Sequence, residues 1–216
     1  MTRPLDTDRL GFDGLLAAAE TDNRERRFAR KTEHLPETME AAAPAFATLI
    51  DAHHAAMLAA DVDEAMRLRE EARLMAQKLD PERRGILAHD NAPGYALMRT
   101  LPATGGGVPL WGQDGTFQID AAGMTVRIEM EGVFGIGASF GFWPGFAAHA
   151  VHWDRPFLSA TGYRSFLGIH ADAAPGLTPD VFARMIVERY VADALGGTLE
   201  PISAHFVEPR DRDEER

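Results

Sequence analysis

Apolar residues in the first part of the chain recur at the three- and four-residue intervals of a helix face. One stripe comprises Phe46, Leu49, Ile50, His53 and Met57. A second stripe, spaced like a coiled-coil seam, comprises Leu68, Ala72, Met75 and Leu79. The short connection between them predicts an antiparallel helical hairpin within a helical region, residues 1–90. We expect the second stripe to be buried against the first, or in a homodimer formed through the hairpin.

The pattern changes to strand-like alternation in the second part of the chain. Every second residue from Met124 to Met130 is apolar, which predicts a strand with one buried and one solvated face. The preceding stretch GTFQI and the turn DAAG supply a hairpin partner, with Gly123 available for a positive φ. Thr178 and Pro179 mark the start of a C-terminal helix.

These patterns predict an α+β fold. An N-terminal helical hairpin or bundle precedes an antiparallel β-sheet with a C-terminal helix packed on it, and the sheet and helix occupy residues 91–207. Residues 208–216 are mostly charged, which predicts a disordered tail.

Residues 132–153 contain no Asp, Glu, Lys or Arg, and a run of this length would suffice to span a membrane. Its many glycines and Pro144 make it a poor helix, so buried, bulged strands explain the pattern better and no membrane contact is expected. The first residues lack the apolar core of a signal peptide, which favours a cytoplasmic protein.

The charge balance changes the functional picture. Asp and Glu number 33 against 22 Lys and Arg, which gives a net charge of −11. Nucleic-acid binding is therefore not expected to be the role of the chain, because phosphate contacts need clustered basic side chains. An acidic surface instead favours a protein partner with a basic surface. The absence of cysteine excludes disulfides and thiolate chemistry.

The stretch HWDRPFLSATGYRSFLGIH, residues 152–170, concentrates the candidate contact residues. Trp153, Arg155, Tyr163 and Arg164 are predicted to bind an anion or a peptide, with the arginines as donors and the aromatic rings as a platform. The competing interpretation is structural. In it, Arg164 forms a buried ion pair with Asp154, and Phe157, Phe166 and Leu167 pack around them.

The hydroxyl groups of this stretch also have two interpretations. Ser159 and Thr161 are expected to satisfy the backbone of the loop. A nucleophilic Ser159 or Ser165, with His152 or His170 as base and Asp154 to orient that base, lacks both a GxSxG turn and a following helix. No catalytic residue is assigned, and no cofactor is expected.

His149, His152 and Asp154 form an HxxHxD pattern that a metal ion could use. On a strand, His152 and Asp154 would share a face and His149 would point the other way. We therefore favour the absence of a metal site. A metal-dependent hydrolase built on these three residues is the alternative function.

The segment from Trp111 to Gly168, and above all PFLSATGYRSFLG, resembles uncharacterised proteins carried on bacterial plasmids and integrative elements. The resemblance covers about a third of the chain and implies an accessory role in a mobile element, without assigning chemistry to any residue. Together with the lack of a catalytic motif, it favours a non-enzymatic accessory protein. Such a protein would act by protein contact, for example by inhibiting a host defence complex through its acidic surface.

Overall fold

The computed structural model describes residues 12–80, 82 and 84–207, except for the side chains of Phe12, Asp13, Leu15 and Phe140. The predicted disordered tail, residues 208–216, lies outside the described residues. Helices occupy the first half of the described chain and precede a four-stranded sheet and a C-terminal helix. The fold is therefore α+β, as predicted. The division between residues 90 and 91 stays a prediction.

Four helices come first: α1 (Phe12–Thr32), α2 (Met39–Ala59), α3 (Val62–Lys78) and α4 (Pro93–Thr100). Thr38 accepts a hydrogen bond from the Ala41 amide at 3.4 Å, and Asp61 accepts one from Glu64 at 3.1 Å, so a polar side chain caps each hairpin helix. Between α2 and α3, Ala60 adopts the left-handed conformation that turns the chain back. Among the described residues, no helix is both long and apolar enough to span a membrane.

The predicted hairpin stripes face each other inside the chain. All five residues of the α2 stripe are buried, as are Leu68, Ala72 and Met75 of α3, while Leu79 is half-buried. The α3 stripe is thus buried without a second copy of the chain. A homodimer stays a prediction.

The sheet comprises β1 (Gly115–Ala121), β2 (Met124–Met130), β3 (Phe146–Ala150) and β4 (Tyr163–Phe166) in sequential order, with every neighbouring pair antiparallel. The β1–β2 hairpin turns through Ala122 and Gly123, whose φ angles are 50° and 77°. Positive φ at two successive residues is the geometry of a two-residue hairpin turn, and it needs glycine at its second position most.

Alternation gives the sheet two unlike faces. The inner face carries apolar residues such as Phe117, Ile128 and Phe146, and α6 (Pro179–Asp193) packs against it through Phe182, which stacks on Trp143. The outer face carries a row of polar side chains in register, one from each strand: Gln118, Arg127, His149 and Tyr163. The outer row is exposed or half-buried.

The expectation of buried, bulged strands throughout residues 132–153 is correct only for β3. Residues 131–145 instead form a compact loop around the short helix α5 (Ile136–Phe140). The glycines serve close backbone approach here, because a Cβ at Gly137 would overlap the backbone nitrogen of Gly145. A last short helix, α7 (Ala204–Val207), follows α6.

Candidate functional site

The four predicted contact residues do not converge on one site. Tyr163 and Arg164 are neighbours on β4 and therefore point to opposite faces of the sheet. Tyr163 lies on the outer face, where its ring makes an edge-on contact with His149 at a centroid distance of 5.1 Å. Arg164 lies on the inner face, at the sheet edge. Trp153 and Arg155 belong to the preceding loop.

Arg164 makes a different contact from the one expected. Its guanidinium carbon lies 4.5 Å from the centre of the Tyr190 ring of α6. Asp154 and Arg164 are both exposed, and among the described residues no ion pair joins them. The premise of a buried arginine that requires a carboxylate is not met. Phe157 and Phe166 are buried as expected, whereas Leu167 is 50% exposed because it follows the last residue of β4.

Ser159 and Thr161 bond the loop backbone, as their residue types predict. Both hydroxyls donate to the Tyr163 carbonyl, at 2.7 and 3.1 Å, and Thr161 also accepts from the Tyr163 amide at 3.3 Å. β4 is an edge strand, so these bonds satisfy backbone groups that would otherwise attract a foreign strand. The arrangement protects an edge and does not present a nucleophile.

The HxxHxD pattern does not form a metal site in the described part of the chain, where no three His, Asp or Glu side chains are placed to hold an ion. His149 lies on the outer face of β3, and its Nε2 is 3.2 Å from the Glu129 carboxylate. His152 and Asp154 lie beyond the end of β3, in the turn that follows. The metal-dependent hydrolase is therefore not supported.

The most complete polar network surrounds Arg69 of α3, which is 5% exposed. Its Nε donates to His53 Nε2 at 2.9 Å, and its two terminal nitrogens donate to the Gly141 carbonyl at 2.7 Å and the Phe142 carbonyl at 2.6 Å. Burial lowers the pKa of Arg69 to about 10, so the side chain stays charged at neutral pH. Arg69 ties the loop after α5 to the helical hairpin.

Two adjacent histidines extend this network to Trp111. His53 Nε2 accepts from Arg69, so the proton of His53 lies on Nδ1, which is 2.9 Å from the Trp111 carbonyl oxygen. His54 Nδ1 accepts from the Trp111 amide at 3.0 Å. Both backbone groups of one residue are thus held by consecutive side chains of α2. The network is structural, because within the described residues no buried side-chain nitrogen or oxygen is left without a hydrogen-bond partner.

An open groove on the surface, unlike the buried Arg69 network, presents side chains that a partner could contact. It has a volume of about 550 Å³ and lies between α4 and the ends of β1 and β2 nearest to it. We call it the acidic groove, since Asp114, Glu129 and Glu131 line it and its described lining contains no Lys or Arg. Its apolar lining residues are Leu87, Tyr95, Met98, Met130, Phe134 and Ile136. Glu129 and Glu131 lie two residues apart at the end of β2, and the pairing of β1 with β2 brings Asp114, which precedes β1, beside them.

Comparison with known proteins finds two relatives, both called Protein KlcB of Escherichia coli. One is 42% identical over 112 residues, which cover 50% of this chain and 25% of the relative. The other is 35% identical over 129 residues, which cover 60% of this chain and 24% of the relative. The matched segments thus span about a quarter of these relatives. No family model and no solved structure matches the chain.

The two similarities point to a plasmid accessory protein of unspecified function. They agree with the resemblance carried by the segment from Trp111 to Gly168. They assign no role to any residue.

Proposed function

We propose that this chain is a non-enzymatic binding module of a plasmid accessory protein, and that its acidic groove receives a basic, partly apolar segment of a partner protein. The observation that carries the proposal is the composition of the groove. Three carboxylates and several accessible apolar side chains share one concave surface, with no basic residue in its described lining. The partner that we propose is a protein of a host defence complex.

Two of the three carboxylates are held in place by backbone amides, whereas Glu129 contacts His149. Asp114 Oδ1 accepts from the Gly132 amide at 2.5 Å, and Glu131 Oε2 accepts from the Gly137 amide at 2.8 Å. Burial raises the pKa of Asp114, and the charges of Glu131 and Glu129 raise it further, while the Gly132 hydrogen bond opposes the shift. A guanidinium or ammonium group entering the groove would relieve this repulsion.

The apolar residues specify the rest of the partner segment. Ile136 is 60% exposed and Tyr95 is 39% exposed, an unusual degree for large apolar side chains beside a cavity. A partner that buries them would gain hydrophobic stabilisation in addition to the charge contact. We therefore expect an Arg or Lys next to an aliphatic or aromatic residue in the bound segment.

Selection of peptides from a random library displayed on phage tests this proposal directly. We expect enriched peptides to carry Arg or Lys beside an apolar residue, with affinity that falls as salt is raised. Asp114→Asn combined with Glu131→Gln keeps an oxygen acceptor at each backbone bond and removes both charges. This variant should bind the selected peptides at least about tenfold more weakly, a loss of about 1.4 kcal/mol.

Glu188→Gln is the matched control, because Glu188 is an exposed carboxylate on α6, outside the lining of the groove. It should leave peptide affinity unchanged. Enrichment of peptides without basic residues, or equal loss in the control, would refute the groove as the binding surface.

A further inference from the structure

A second cavity lies at the opposite end of the sheet from the acidic groove and differs from it in charge. Its volume is about 150 Å³, and it lies where the β1–β2 turn meets the end of β3. We call it the end cavity. Its lining residues are Gly123, Met124, Thr125, Ala150, Val151, His152, Arg155, Pro156, Phe157 and Leu199.

The charged and titratable groups of the end cavity are both basic. His152 and Arg155 line it, and its described lining contains no Asp or Glu. The Arg155 amide donates to the His152 carbonyl at 3.3 Å, which holds the two residues in one turn. Asp154 lies between them in sequence and is exposed, as they are, but it does not line the cavity.

Neither basic side chain of the end cavity is engaged by another described group. Within the described part of the chain, no ion pair and no side-chain hydrogen bond engages His152 or Arg155. Most other described arginines contact a partner within the chain; for example, Arg67 pairs with Glu64 and Arg69 donates to backbone carbonyls. Arg155 differs from these because no described group engages its side chain and it lines a cavity, in a chain of net charge −11.

The floor of the end cavity is apolar and firmly held. Phe157 is buried, and its backbone exchanges two hydrogen bonds with Glu200, each of 2.8 Å. These bonds fix Phe157 beside Leu199, the residue preceding Glu200. A ligand that fits must therefore combine a negative group at the mouth with a short apolar portion inside.

We propose that the end cavity binds a carboxylate carried on a short apolar stem. A planar guanidinium matches a carboxylate with two parallel hydrogen bonds, and His152 can donate a further one. The volume corresponds to about five water molecules, which suits a branched aliphatic side chain rather than a large ring system. This chemistry occurs at the C-terminus of a peptide that ends in an aliphatic residue, and also in a small free branched acid.

NMR titration of the isotopically labelled full chain tests the proposal with three probes. Acetyl-alanyl-leucine has a free terminal carboxylate, its C-terminal amide lacks the charge, and isocaproate is a small free acid with the same branched stem. We expect the first probe to shift the backbone amides of Gly123, Val151 and Leu199. The amide should bind at least about tenfold more weakly.

The isocaproate arm distinguishes the sources. Binding of the peptide acid without isocaproate identifies a peptide C-terminus as the ligand, and binding of both identifies a small-acid cavity. Either result supports the carboxylate assignment. Equal binding of the acid and the amide, or no shift with any of the three probes, would overturn it.

Variants separate a specific site from general charge attraction. Arg155→Gln should reduce the affinity for acetyl-alanyl-leucine at least about tenfold, and His152→Gln by a smaller factor. Arg184→Gln is the control, because Arg184 is exposed on α6 and lies outside the lining of the end cavity. An equal loss in the Arg184 variant would show that only overall charge matters. The unchanged spectrum away from the cavity verifies the fold of each variant.

Discussion

Arg69 of α3 and His53 of α2 are joined by a single hydrogen bond of 2.9 Å, and both side chains are buried. The arginine has no carboxylate partner among the described residues. The Ala138, Gly141 and Phe142 carbonyls and the sulfur atoms of Met57 and Met66 accept from its terminal nitrogens instead, and the uncharged segment that contains α5 supplies no acid that could do so. A buried guanidinium is stable here because several dipoles converge on it.

Replacing Arg69 should therefore destabilise the fold. Arg69→Met keeps part of the apolar stem and leaves the Gly141 and Phe142 carbonyls without their donor. We expect the free energy of unfolding to fall by about 2–4 kcal/mol. Urea denaturation measures the change.

Arg73→Met is the matched control on the same helix, because Arg73 is exposed and pairs only with Glu70 among the described residues. An exposed ion pair contributes little, so this change should cost less than about 1 kcal/mol. If the two variants were equally stable, the Arg69 network would not support the fold.

His53 should make stability depend on pH. Burial, followed by the nearby charge of Arg69, lowers its pKa from 6.5 to about 4, although the Trp111 carbonyl acts in the opposite direction. The unfolded chain therefore binds a proton at His53 that the folded chain excludes. Above pH 6.5, protonation of His53 does not affect stability. As the pH falls from 6.5 toward 4, protonation of the unfolded chain lowers the free energy of unfolding, by roughly 3 kcal/mol at most.

Urea denaturation at a series of pH values checks this expectation in wild type and in His53→Gln. The variant should show a shallower loss of stability between pH 6.5 and 4. Some dependence should persist, because burial lowers the pKa of His54 in the same direction. Direct observation of the His53 ring by NMR gives an independent measure, and titration of that ring near its ordinary pKa would contradict the assignment.

The hairpin helices and the β1–β2 pair could be predicted because their patterns are local. Each α2 and α3 stripe repeats at helical spacing, and Gly123 with the alternation of β2 determines the register of its hairpin. The sequence patterns alone do not predict the role of Arg69, although its position carries a signal. Arg69 lies within the buried arc of α3, next to Leu68 and three residues before Ala72, where an arginine would need acceptors from elsewhere.

The candidate surfaces depend on contacts that sequence spacing does not reveal. Asp114 and Glu131 lie just outside the two ends of the β1–β2 hairpin and meet because Gly115 pairs with Met130. The sequence of the stretch from His152 to His170 suggests one cluster of contact residues. In the structure, Tyr163 and Arg164 are neighbours on β4 and lie on opposite faces of the sheet. Only Arg155 and His152 of the predicted contact and metal-binding residues line the end cavity together.

Gly162 and Trp153 offer a steric test of the loop before β4. Gly162 has φ +68°, and a Cβ there would lie 2.5 Å from the Trp153 ring. Gly162→Ala therefore combines backbone strain with a clash against a rigid ring and should cost at least about 2 kcal/mol. Thermal unfolding followed by circular dichroism measures the loss.

Gly168→Ala separates the two contributions. Gly168 has a similar φ of +62°, but no atom lies within 4 Å of the position that a Cβ would occupy there. Only the cost of placing alanine at a positive φ, about 1 kcal/mol, should remain. Equal losses at both glycines would show that Trp153 yields to the added methyl group.

The contact between Arg164 and Tyr190 provides the last test, through a double-mutant cycle. Arg164→Met keeps an unbranched stem and removes the charge, and Tyr190→Leu removes the ring. A cation above an aromatic face at an exposed site stabilises by about 0.5–1 kcal/mol, so the double variant should lose less than the sum of the single losses by that amount.

A parallel cycle with Asp154→Ala should be additive, since Asp154 and Arg164 are exposed and no ion pair joins them within the described residues. Asp154→Ala alone should leave the free energy of unfolding within about 0.5 kcal/mol of wild type. Coupling of Arg164 to Asp154 rather than to Tyr190, measured by urea denaturation at neutral pH, would restore the ion pair that the stretch from His152 to His170 suggested.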